Sequence, residues 1–550
     1  MKKNQIVAIL VLILVGVENL NAQAVAGKVT KGSYTFRNSS AFETPKGYAI
    51  QKPLMFSDGI LQMSVKGTDG YHFQWFSNEM RLMKENTIDL NGKFGNKTTF
   101  SQFLQLKSKV YVIGREVFKE SGTEGICAFE IDHKSLNVKG DVNHLFESSR
   151  KVKTMGFGFY GGGMVMNLDG ALGYDLNISE DKTKFMYSFC LAPKEKRDKL
   201  NKDEIGIFVF DENLTKIWGG EVVMPYSEAK MENLGFTVTN DGKVCLLAKV
   251  YDGEDSKDGA KDKTKPNYHF EVIIYQEGSK TPKIAEIKLD NYFNREVSMF
   301  QDKKGNIVFA GFYGKKGNNG GIDGTYMLTL DVDKGSVSKV NGGFYEIPSE
   351  FIKTFMSERQ LKKTEKKEEK EDFDLELTNL VIRDMFSVPD GSTTIVSEIY
   401  WMEAHTSRSS NGTTSTYYTY NYNDIVIMNI KGGKMEWIKK IKKFSENSYP
   451  YLLSINSVLV GNDVHVFWKD KPENSFVAEG QKPAKFNGRD GMLRACKISA
   501  RGEMKFEDIV NLERYDIRCS LREYINNGSN TLSNTERSKK QNVMFAIDVK

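Results

Sequence analysis

Apolar and polar side chains alternate in short runs along this chain, and the run returns at intervals over its 550 residues. In Tyr71-His72-Phe73-Gln74-Trp75-Phe76 the alternation has period two, the mark of a strand with one face turned to a core. The same form recurs at 125–131, 204–210, 268–274, 325–330, 424–430 and 490–496, which makes seven units. Between them runs a second kind of strand, introduced by a tight turn such as Asn240-Asp241-Gly242-Lys243 or Lys303-Lys304-Gly305-Asn306 and continued by an apolar run at 244–250 or 307–312. Such turns ahead of apolar runs are hairpin signals. Each unit then supplies about four strands, the content of one propeller blade.

The expectation is therefore an all-β fold, a β-propeller of about seven blades of four strands with one short charged helical insert. Two or three separate β-sandwiches, which would share no repeat unit, are the alternative. The ends carry lone strands, 33–36 at the start and 542–549 at the finish, and pairing them in one blade would remove two exposed edges. The insert is 349–374: Phe351, Ile352, Phe355 and Met356 at helical spacing, then the charged stretch 362–371. A second insert, 252–266, reads as a polar loop.

Ahead of the first strand, Lys2 and Lys3 precede an apolar run at 6–17 and the small residues around Ala22, as in a secretory signal peptide spanning 1–22. That run is shorter than the roughly 20 residues a spanning helix needs. The remainder, 23–550, is expected to be a single propeller domain. Removing 1–22, with two lysines and one glutamate, lowers the net charge from +5 to +4. Acids and bases are interspersed, so the basic face that nucleic-acid binding requires is missing. The five cysteines at 127, 190, 245, 496 and 519 sit singly in apolar stretches, which suits buried thiols, with Cys496 and Cys519 the nearest pair should one bridge form.

No chemistry-bearing motif survives its context. Gly156-Phe157-Gly158-Phe159-Tyr160-Gly161 has the letters of a dinucleotide fingerprint, but no helix pattern follows it. Glu254, Ser256 and Asp258 begin like a calcium loop that then places Lys265 where the bidentate acid belongs. The six histidines show no metal-binding spacing, and His72 and His269 share a Tyr-His-Phe context that points to a structural role in the repeat. No GxSxG elbow is present. No cofactor is expected and no metal site.

The densest unusual composition is Tyr400-Trp401, a polar tip at 405–415, and Tyr417, Tyr418, Tyr420 and Tyr422. Alternation sets Tyr418, Tyr420 and Tyr422 on one face with Tyr417 opposite. These six aromatics are the candidate binding residues, by sugar stacking or at a protein interface, with cross-strand packing as the plainer reading.

The stretches 358–371 and 422–441 resemble uncharacterised exported proteins of Bacteroidota-type bacteria, and Gln23 after Ala22 is similar to signal cleavage sites of that group. The resemblance implies the periplasm or an outer-membrane-associated complex of a Gram-negative cell, and brings no catalytic residues. The function placed first is a non-enzymatic envelope protein that binds a protein or glycan partner. The alternative is a carbohydrate-active hydrolase or lyase with acids converging at the mouth of the propeller's central channel.

Overall fold

Turn chemistry sets the strand pairs. Gly242, Gly305 and Gly391 each adopt φ +87°, a left-handed conformation open to glycine, and each closes the hairpin between the first and second strands of a blade. The same pair of backbone bonds recurs in all three, for example Gly242 N–H to Thr239 at 2.9 Å and Gly305 N–H to Asp302 at 3.0 Å. The computed structural model describes residues 27–550 apart from 68–69, 91–96, 154–172, 195–200, 254–263, 280, 303, 318–319, 358–360, 362–375, 409–410, 413, 478–480, 490, 516–518, 527–529 and 539–540. The signal segment, the glycine run at 156–161, positions 254–263 of the calcium-like loop and the charged stretch lie outside the described residues.

The strands form eight antiparallel sheets of four or five strands. Blades 1 to 7 span 49–89, 97–147, 174–227, 231–287, 293–346, 380–447 and 456–511. Blade 8 takes Ile525–Asn526, Thr531–Ser538 and Gln541–Val549 from one end of the chain and Tyr34–Asn38 from the other, with Gly27–Lys31 outside. Tyr34 pairs with Val549 and Phe36 with Ile547, so the two ends share one sheet.

Between every two successive blades lies a cluster of buried apolar side chains, including one between blades 7 and 8 and one between blades 8 and 1. Eight sheets with eight shared interfaces close a ring, which excludes separate sandwiches. First strands of neighbouring blades touch: Tyr174–Ile178 meets Met231–Val238, which meets Phe293–Gln301, which meets Leu380–Ser387. They line the axis.

The seven alternating runs of the sequence are all third strands, one in each of blades 1 to 7. The blade count is thus eight where about seven was expected. The eighth third strand, Gln541–Val549, looks incomplete in sequence because its outer neighbour lies at the other end of the chain. Among the described residues the insert opens with a short helix, Ser349–Lys353. Ile352 is buried, and Phe351, Phe355 and Met356 pack against the cluster between blades 5 and 6. All five cysteines are free, Cys496 and Cys519 included. Burial pushes the thiols of Cys245, Cys496 and Cys519 up to about 12, so they behave as small apolar side chains.

Candidate functional site

Some first strands are more open than the second strands they pair with. In blade 5 the second strand, Ile307–Gly314, is buried throughout, whereas the first, Phe293–Gln301, is half-buried along nearly its whole length. These inner strands also break register at matching points. In blades 2, 4, 5 and 6 one extra residue, Ser101, Leu234, Arg295 or Arg383, is inserted opposite the second strand. A bulge of this kind re-aims the side chains beside it. The residues that follow are Gln102, Gly235, Glu296 and Asp384, so blades 5 and 6 each present an arginine and then a carboxylate at equivalent places on adjoining inner strands.

Burial governs the first of these acids. It raises the Glu296 carboxyl to about 7, against the opposing pull of the Arg383 charge from the next blade. Asp384 is also pushed up by burial, and is steadied by Arg522 and Ser457. Arg522 Nη1 donates to both Asp384 oxygens at 3.1 Å and Nη2 to the Arg383 carbonyl at 2.8 Å, while the Ser457 hydroxyl donates to Asp384 Oδ2. Blades 6 and 7 and the connection into blade 8 therefore meet at one carboxylate.

Arg383 is anchored from behind. Its Nε donates to Glu398 Oε2 at 2.9 Å, and Glu398 also accepts from Lys443 Nζ at 2.9 Å and from the Ser454 hydroxyl at 3.0 Å. Glu398 and Lys443 have no exposed side-chain surface. A buried ion pair so fully hydrogen-bonded fixes position at a desolvation cost. The arrangement holds a cation beside a carboxyl poised near neutrality, which is the equipment of general acid–base chemistry.

The tyrosine hairpin rises from the same end of blade 6. Thr393–Arg408 and Thr414–Lys431 pair as one ladder, with Tyr400 opposite Tyr422 and Tyr418 opposite Ala404. At its base Tyr420 and Tyr422 are buried with Leu453 and Phe486, and Tyr400 packs on them, its ring 4.8 Å from that of Tyr422. The Arg383 guanidinium lies 5.3 Å from both the Tyr400 and Tyr422 rings. Trp401 is half-buried and donates to Glu403 at 2.8 Å. Only Tyr417 and Tyr418, 55% and 44% exposed, present open surface, with His405 stacked on Tyr417 at 4.9 Å. The six sequence-chosen aromatics thus divide into packing residues at the base and two exposed rings near the tip.

Sequence reasoning misses Glu296, Arg383, Asp384, Glu398, Lys443 and Arg522. A signal exists for three of them: Arg295-Glu296 and Arg383-Asp384 are charged dipeptides set inside runs that otherwise read as apolar strands.

No protein-family model matches this chain, and comparison with curated proteins finds no match. Among solved structures it is similar to a prolyl endopeptidase at 10% identity and TM-score 0.35, over 90% of this chain and 55% of that one. It thus spans little more than half of that enzyme. An ulvan lyase of polysaccharide lyase family 25 shows 10% identity and TM-score 0.34 over 80% of this chain and 90% of that one. The β-propeller domain of the Trilobed protease from Pyrococcus furiosus shows 10% identity and TM-score 0.32 over 86% and 98%. At this identity the likeness speaks to the fold. The non-enzymatic binding role placed first above is corrected: these neighbours are peptidases and polysaccharide lyases, on the side of the enzymatic alternative. Sequence reasoning could not weigh the inner-strand carboxylates, because they come from different blades and no sequence spacing joins them.

Proposed function

We propose that this protein is a carbohydrate-cleaving enzyme whose active site is the channel mouth between blades 5 and 6. The observation that carries the reading is Glu296, a carboxyl on an inner strand raised to about 7 by burial, beside Arg383 and Asp384 of the next blade. At neutral pH a large share of Glu296 keeps its proton and can give it to a glycosidic oxygen, while Asp384, gripped through both oxygens by Arg522, supplies the second carboxylate. The expected export through residues 1–22 would set the substrate in the cell envelope or outside it.

The test is turnover of the full chain on a panel of neutral and uronate-containing polysaccharides. New reducing ends without ultraviolet absorbance mark hydrolysis, and absorbance of an unsaturated uronate marks a lyase. Glu296→Gln should lower kcat by about a hundredfold or more while leaving the fold intact. Activity that needs the protonated acid should decline as pH rises through about 7. Wild-type rates in Glu296→Gln, or no cleavage of any polysaccharide, would end this reading.

A further inference from the structure

At the ring's closing seam, where the chain passes from blade 8 into blade 1, lies a cavity of about 720 Å³ lined by residues 40–46 and by side chains of the last two strands of blade 1. That size is within the roughly 300–1,000 Å³ of small-molecule sites. It lies on blade 1, away from the inner strands of blades 5 and 6, and the proposed chemistry makes no use of it.

Its wall holds two buried polar side chains from one strand, Gly70–Phe76. His72 is 4% exposed and Gln74 1%. The Gln74 amide is oriented by its Nε2, which donates to the Glu43 carbonyl and to Glu85 Oε2, both at 3.1 Å. Its Oε1 is left as an acceptor, and among the described residues that atom has no hydrogen-bond partner. His72 uses Nδ1 with the Thr87 hydroxyl at 2.9 Å, and its Nε2 likewise has no hydrogen-bond partner, Glu85 standing off at 3.7 Å. Buried polar atoms of this kind are costly when unsatisfied, so the pair suits a partner that brings hydroxyls.

Charge narrows the class. The lining acids Glu43 and Glu85 are matched by Lys46 and Arg81, and burial holds His72 below its ordinary range and hence neutral. No net charge is left to draw in an anion or a cation. Phe42, Phe76 and Met80 offer an apolar floor for C–H faces, as sugar sites do. We propose that this seam cavity binds a neutral saccharide unit, an accessory site separate from the channel mouth.

Saturation-transfer NMR and calorimetric titration of the full chain would use glucose, galactose, rhamnose and N-acetylglucosamine, with glucuronate and glucosamine as charged controls. At least one neutral sugar should bind, the charged sugars at least tenfold more weakly. Gln74→Leu should weaken that binding tenfold or more. Leu82→Trp changes an exposed residue at the cavity wall, so it narrows the cavity without disturbing the core and should weaken binding similarly. Glu296→Gln should leave it unchanged, which separates this site from the channel. Binding lost in Glu296→Gln but kept in Leu82→Trp would move the sugar to the channel and overturn the proposal. So would charged sugars binding as well as neutral ones, or no neutral sugar binding at all because water alone fills the cavity.

Discussion

Blades 1 and 4 carry the same tripeptide in their third strands, Tyr71-His72-Phe73 and Tyr268-His269-Phe270, and the ring turns both the same way. Tyr71 and Phe73 pack toward blade 2 and Phe270 toward blade 5. The histidines face the other side, toward the preceding blade. There the likeness ends. His72 meets a hydroxyl and a cavity, and burial lowers its pKa. His269 lies 2.6 Å from Asp252 and 3.2 Å from Glu271, and these acids raise it to about 9, the Glu271 hydrogen bond contributing most. Glu271 is held in turn by Tyr226 of blade 3 at 2.8 Å. Local sequence decided which way the ring points. The acids set beside it within its own blade, or their absence, decided its charge.

The largest effects should fall on the shared half of this comparison. Phe73→Ala and Phe270→Ala each remove a fully buried ring from an interface between blades and should each cost about 3–5 kcal/mol in urea unfolding. Unequal losses, one of them under about 1 kcal/mol, would break the claim that the two strands do the same work.

The contrast in charge comes next. A folded pKa of about 9 against an ordinary 6.5 means that the folded state binds the His269 proton more tightly. Its stabilisation is complete below about 6.5 and is lost as pH rises through 9. Unfolding free energy measured from pH 6 to 10 should therefore fall by about 2 kcal/mol, and His269→Gln should flatten that dependence. His72 has the opposite sign: its lowered pKa gives stability that is complete above 6.5 and fades as pH drops below it. A His72 titration by NMR that fell above its ordinary value would reverse the contrast.

Smaller differences sharpen the picture. Thr87→Val deletes the partner of His72 Nδ1 and should cost about 1 kcal/mol at pH 7. Asp252 is 53% exposed, so Asp252→Asn should cost under about 1 kcal/mol and lower the His269 pKa less than Glu271→Gln does. An equal or larger drop in Asp252→Asn would show the exposed acid to be the stronger partner.

The same division runs through the candidate site. Alternation and glycine turns announce strands because side-chain direction and turn conformation are settled within a few residues, and seven third strands were readable on that ground. The tyrosine hairpin was legible as a hairpin, but not which rings it buries, since Tyr420 and Tyr422 are covered by Leu453 and Phe486 from other parts of the chain. The Arg383-Asp384 pair is visible as charge in an apolar strand, yet its partners Arg522 and Ser457 lie far along the sequence.

By itself, then, the sequence determined an all-β ring of repeated strand pairs, down to the third strand of blades 1 to 7, because period-two patterning and tight turns act locally. Tertiary structure alone decided that both ends of the chain build the eighth blade and that bulges bring Glu296 and Asp384 to matching places on adjoining inner strands. Each of these depends on which strands become neighbours, and on the burial and charge those neighbours impose across tens to hundreds of residues.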